Sequence, residues 1–174
     1  MNELVDILTE DGKLVNKRIN KIDAHKEGIC HGISAVALID NNGHLLIQKR
    51  SSNKDTEPNK WDLSGAGHIN INESSVDAAI RELYEETGIK VNSEDIKLID
   101  TYLNKVKIND DCFINHYTYL FIVQKDIDLN NINIQESEVS DIKLINKDQY
   151  IELINNNEFV EAIKYCNKIL DYMK

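Results

Sequence analysis

Glu82, Glu85 and Glu86 stand at i, i+3 and i+4 of a segment running from Gly67 to Ile89. At about 100° per residue the three carboxylates share one helix face. Like charges within one turn repel by about a few tenths of a kcal/mol per pair, so a bound cation is one reason to keep them together. Mg2+ takes oxygen ligands and retains waters that substrate phosphates can replace, which suits such a cluster. The plainer alternative is a solvated acidic face with Arg81 paired to Glu85 at i+4, in a chain of net charge −10.

A helix must position these acids, and the segment marks one. Val76, Ala79, Ile80, Leu83 and Thr87 fall on the neighbouring face, which is mostly apolar, so that side is expected to be buried while the carboxylates stay exposed. Ser74 and Ser75 with Asp77 form a capping environment at the start, and Gly88 stands where a left-handed residue ends a helix.

The same residues carry a resemblance. Gly67, Glu73, Arg81, Glu82, Leu83, Glu85, Glu86, Gly88 and Ile89 match every specified position of the Nudix hydrolase signature, G-x(5)-E-x(7)-R-E-U-x-E-E-x-G-U, where U is bulky and apolar. With residue types near 5–10% of usage, seven exact matches at fixed offsets arise by chance about once in 10^7 starting points or less. The resemblance implies an α/β fold, a Nudix-type α/β/α sandwich with a mixed β-sheet flanked by helices. It also implies hydrolysis of a phosphoanhydride in a nucleoside diphosphate derivative or similar organic diphosphate. By the same resemblance Glu82, Glu85 and Glu86 are the metal-binding and catalytic carboxylates, with the Gly67 carbonyl as a further ligand and Mg2+ (or Mn2+) as cofactor. Arg81 and Glu73 orient the helix and its loop. The general base stays open between Glu82 and the later Glu136 and Glu138, whose plainer reading is a solvated loop before a strand.

Outside the signature, Leu45 to Lys54 and Pro58 to His68 are similar to the Nudix branch that contains isopentenyl diphosphate isomerase. The resemblance makes Arg50 and Lys54 diphosphate contacts and His25, His31 and His68 candidates for a second metal site, with His116 as a substitute ligand. Two departures count against isomerisation itself. Ala66 stands where the isomerase has its cysteine, and Ile114-Asn115-His116 replaces a Glu-x-Glu pair, so no proton path is evident. The alternatives carried forward are an isomerase-like enzyme and a noncatalytic diphosphate-binding module.

Composition sets outer bounds. A chain of 174 residues with 41% hydrophobic content fits one domain spanning 1–174, with residues 1–30 as an N-terminal extension holding a hairpin, 67–89 as the signature and 147–174 as C-terminal helices. The acidic balance argues against long nucleic acid as a partner, and a small-molecule diphosphate is expected instead. No apolar run of membrane-spanning length and no export pattern at Met1 to Asp6 is present, so a cytoplasmic protein is expected. A homodimer through the N-terminal segment and a monomer both fit. Cys30, Cys112 and Cys166 have no disulfide or zinc spacing and read as small packed residues.

Strands are expected at Leu4–Leu8, Leu14–Val15, Ser34–Ile39, Leu45–Ile47, Ile96–Val106, Asn115–Val123 and Asp141–Ile145, and helices at Asp148–Ile154 and Glu158–Tyr172. Tyr102, Tyr117 and Tyr119 fall on such strands, where cross-strand packing is the default role and stacking on a substrate the alternative.

Overall fold

The apolar runs of three strands explain the architecture. In β3 (His31–Ile39), Ala35, Ala37 and Ile39 face one side and Val36 and Leu38 the other, and all are buried. The same division holds for Leu45 and Ile47 against Leu46 in β4 (Leu45–Arg50), and for Leu120 and Ile122 against Phe121 and Val123 in β8 (Cys112–Gln124). Strands buried on both faces need cover on both, which is the condition for a layered α/β structure. The computed structural model of the chain, which describes residues 3–161 and 167–174, supplies that cover.

One core lies against α2 (Ser75–Thr87), where Val36, Leu38, Leu46, Phe121 and Val123 meet Ala79 and Leu83. The other lies against α3 (Lys147–Asn155) and the C-terminal residues, where Ala35, Ala37, Leu45, Ile47 and Leu120 meet Tyr150 and Phe159. The sheet is mixed: β3 runs parallel to β8 in unbroken register from His31↔His116 to Ile39↔Gln124, and antiparallel to β4. Strand β6 (Gly65–His68) pairs antiparallel with β3, β7 (Ile96–Asn109) with β8, and β9 (Val139–Ile145) with β4, while the two-residue β5 (Trp61–Asp62) closes the other side of β4.

Upstream, β1 (Leu4–Leu8) and β2 (Leu14–Asn20) form the expected hairpin, with Gly12 at φ +80°, and β2 runs five residues beyond the expected Leu14–Val15. Helix α1 (Lys21–Glu27) follows and was not anticipated. It has no apolar period to announce it. It is defined by its ends: the Asn20 side chain accepts from Ile22 N, and Gly28 closes it in the left-handed region.

The expected helix over Glu158–Tyr172 is corrected. Trp61 N donates to Glu158 O and Val160 N to Trp61 O, so Phe159 sits as a bridge residue beside β5. A 3-10 turn covers Asn167–Asp171, and residues 162–166, with Cys166, lie outside the described residues. Cys30 is buried and Cys112 half-buried.

Candidate functional site

Helix α2 is capped as its sequence indicates, with the Ser74 side chain accepting from Asp77 N at 3.1 Å and Gly88 at φ +73° donating to Tyr84 O. It packs so tightly on β6 that a Cβ on Gly65 would come within 2.8 Å of Leu83 Cα. Side chains from the two elements therefore share one wall of a cavity of about 650 Å³ that includes Gly67, His68, Glu82, Glu85 and Glu86.

The three carboxylates are not equivalent, which corrects the expectation that all stay exposed. Glu85 is exposed and Glu82 half-buried, but Glu86 retains only 5% of its surface. It points under β6, where Ala66 N donates to Glu86 Oε2 at 3.0 Å and Gln48 Nε2 at 2.7 Å. Burial raises the Glu86 carboxyl to about 8, with the neighbouring charge of Glu82 adding to the effect, and burial raises Glu82 as well.

Arg81 offsets part of the cluster. It pairs with Glu73 through two hydrogen bonds of 2.7 and 2.9 Å, reaches Glu82 at 2.6 Å and Glu85 at 3.2 Å, and donates to His68 O at 3.0 Å. Both readings of the helix face thus coexist. Arg81 does pair with Glu85, and the buried Glu86 and half-buried Glu82 remain on the cavity side. That donor set, oxygen only and partly desolvated, fits a hard divalent cation.

Gly67 is held by the same crowding. A Cβ there would fall 2.1 Å from the Glu82 carboxyl carbon, the movable end of a side chain. Gly67→Ala is expected to leave the unfolding temperature within a few degrees of the parent while turning Glu82 away. Its turnover, measured beside thermal unfolding, should drop by roughly tenfold to a hundredfold.

Lys54 lines the cavity and is ion-paired with Glu138, which lines it too, whereas Glu136 is exposed. The backbone before Glu138 runs along the end of α2, with Gln135 N donating to Glu86 O and Asn133 N to Thr87 O. Arg50 also lines the cavity but spends its donors on Asp62 at 3.1 Å and Thr56 O at 2.9 Å, clamping the loop 51–60. Tyr102 lines the cavity as well, while Tyr117 and Tyr119 pack edge-to-face on each other.

At the far end of β6 four histidines converge from four elements: His25 of α1, His31 of β3, His68 of β6 and His116 of β8. One ligand atom from each lies within 4.8 Å of all the others. His25 Nε2 and His68 Nε2 are 3.1 Å apart, near the spacing of about 3.3 Å for ligands of a tetrahedral site with bonds of about 2.0 Å. His31 Nδ1 donates to Ile29 O at 2.8 Å, which leaves the Nε2 lone pair inward. That atom and His116 Nε2 are buried with no hydrogen-bond partner among the described residues. Burial lowers all four, His31 to about 4, so the rings are neutral near pH 7. Two orphaned neutral imidazoles beside a His25–His68 pair in mutual hydrogen-bond contact, with all four ligand atoms this close, fit a transition-metal cation.

The two groups of shifted residues oppose each other in metal-free protein. Raised Glu86 favours folding below its unfolded value of 4.5, and that advantage is lost as pH rises to about 8. Depressed His31 favours folding above its unfolded value of 6.5, and that advantage is lost as pH falls to about 4. Chelator-treated protein is therefore expected to be most stable near about pH 6 to 6.5, falling on both sides, in a thermal-unfolding series from pH 4.5 to 8.5.

A family model described as NUDIX domain matches residues 31–164. The chain belongs to the Nudix family. It is 32% identical over 155 residues to an uncharacterised Nudix hydrolase of Listeria innocua, covering 89% of this chain and 86% of that protein. It is 31% identical over 160 residues to Nudix hydrolase 3 of Arabidopsis thaliana, covering 90% of this chain but only 21% of that longer protein. Isopentenyl-diphosphate Delta-isomerase 2 of Photorhabdus laumondii is 32% identical over 151 residues, at 87% and 81% coverage. Among solved structures, that of the Deinococcus radiodurans protein DR0079 superposes with a TM-score of 0.72 at 17% identity, covering 99% of this chain and 100% of that one, so the two share a fold. Among the described residues no helix is long and apolar enough to cross a membrane.

Proposed function

We propose that this Nudix protein is a Mg2+- or Mn2+-dependent hydrolase that cleaves a phosphoanhydride bond in a nucleoside diphosphate derivative or similar organic diphosphate. The observation that carries the reading is the complete carboxylate set, Glu82, Glu85 and Glu86, gathered with Gly67 on one wall of a cavity that Lys54 and Glu138 also line. Glu82, Glu85, Glu86 and the Gly67 carbonyl would hold the cation, which when bound neutralises phosphate oxygens and acidifies water.

The chain's own residues do the rest by position. Lys54 exchanges Glu138 for a phosphate oxygen of the substrate, and the released Glu138 carboxylate takes the proton of the attacking water at Oε2. The water oxygen bonds to phosphorus as the bridging P–O bond breaks, and the leaving phosphate carries away the electron pair. Arg50 holds the loop 51–60 that carries Lys54, and through that loop serves the diphosphate.

The four histidines form a second metal site in this reading, occupied by a transition-metal cation such as Zn2+. Isomerisation is the lesser reading, because Ala66 offers no proton and its backbone nitrogen is committed to Glu86. The deciding experiment incubates purified protein with Mg2+ or Mn2+ and nucleotide, dinucleotide, nucleotide-sugar and prenyl diphosphates, with products separated by chromatography. Hydrolysis of at least one is expected. Turnover of none would refute the assignment, and isomerised isopentenyl diphosphate would establish the alternative.

A further inference from the structure

We infer that Gln48 is a positioning residue that presents the Glu86 carboxylate to the cation, an inference that rests on Glu86 holding one. Gln48 sits on β4, in the middle of the sheet, paired with Asp62 of β5 on one side and Ile142 of β9 on the other. Its side chain is 3% exposed. The amide nitrogen donates to Glu86 Oε2, the oxygen that also accepts from Ala66 N. Two donors from two different strands thus fix Oε2, and no hydrogen bond among the described residues is directed at Oε1. The carboxylate cannot rotate without breaking both bonds, so Oε1 is the oxygen left for the cavity.

The other half of the amide strengthens the argument. Gln48 Oε1 is buried and has no hydrogen-bond partner among the described residues. A buried acceptor without a partner is unfavourable, and an apolar side chain of the same shape would remove it. The amide is thus a poor choice for packing and a good one for donating to a carboxylate. With its nitrogen toward Glu86 the amide donates to Oε2 beside Ala66 N and leaves Oε1 as the oxygen that a cation can take. Partners of this kind around metal ligands are worth about tenfold to a hundredfold in metal affinity.

The test is Gln48→Met, which keeps the length and volume and removes both polar atoms. Mn2+ binding without substrate is followed by the loss of the free-ion electron paramagnetic resonance signal, beside thermal unfolding of the chelator-treated protein. Because the histidines are identical in parent and variant, a difference in Mn2+ binding reports on the carboxylates. The variant is expected to bind Mn2+ about tenfold or more weakly while unfolding at the parent temperature or above it, with kcat reduced and partly restored by excess Mn2+. A Mn2+ affinity within twofold of the parent overturns the inference, as does a weakened affinity accompanied by a matching loss of stability. A parent that binds no Mn2+ instead refutes the cation reading beneath it.

Discussion

Glu86→Gln is expected to lower kcat by about 10^3-fold while leaving the metal-free protein at least as stable as the parent. The two effects separate because Glu86 has two unlike oxygens. Its Oε2 accepts from Gln48 and Ala66, and the carbonyl oxygen of a glutamine can accept both. The other oxygen becomes an NH2 group, which cannot ligate a cation, and removing electrostatic stabilisation of this kind typically costs 10^2–10^3 in rate. The substitution also removes a buried carboxyl that resists ionisation up to about 8, so the gain in unfolding temperature should be larger at pH 8 than at pH 5. Turnover of the best substrate at saturating Mg2+, with thermal unfolding at the two pH values, checks both halves. Activity within tenfold of the parent would remove Glu86 from the site.

Zn2+ added to chelator-treated protein at about 100 times its dissociation constant is expected to raise the unfolding temperature by about 5 to 10 °C. Binding at that excess stabilises the native state by about 2.7 kcal/mol, and a chain of this size gains about 2 to 4 °C per kcal/mol. Mg2+ at the same concentration should not reproduce the shift, because the site offers imidazole nitrogens and no carboxylate among its ligand atoms. His116→Ala and His25→Ala should each abolish most of it. The first removes a buried ring and the second a half-buried one from a short helix, so a loss of Zn2+ response common to both reports on the metal and not on packing. An unfolding temperature indifferent to Zn2+ would refute the second site.

Helix α2 was legible because its apolar period and its three acids lie within the thirteen residues that its cap residues, Ser74 and Gly88, bracket. The buried state of Glu86 was not, since helical spacing gives a direction around an axis and not the depth of the surface it meets. That depth depends on β6, whose Gly65 and Gly67 let the strand come close enough to cover the helix. The Glu158–Tyr172 helix fails for a comparable reason. Its apolar spacing is real, but the backbone of Glu158 and Val160 finds Trp61, and a tertiary hydrogen bond overrides local periodicity. Of the four histidines, three were carried by resemblance and His116 by proximity to a missing acid pair. Their convergence follows from the parallel register that sets His31 beside His116, which no local pattern reveals.

That register and the N-terminal helix have a consequence for how this protein should be cut. The family match begins at His31, yet His25 lies before it, on a helix tied to the sheet where Asn115 Nδ2 donates to Gly28 O at 2.8 Å. A fragment starting at residue 31 would keep every signature carboxylate and lose one of the four converging imidazoles together with the helix that carries it. Its boundary would fall through the proposed histidine site.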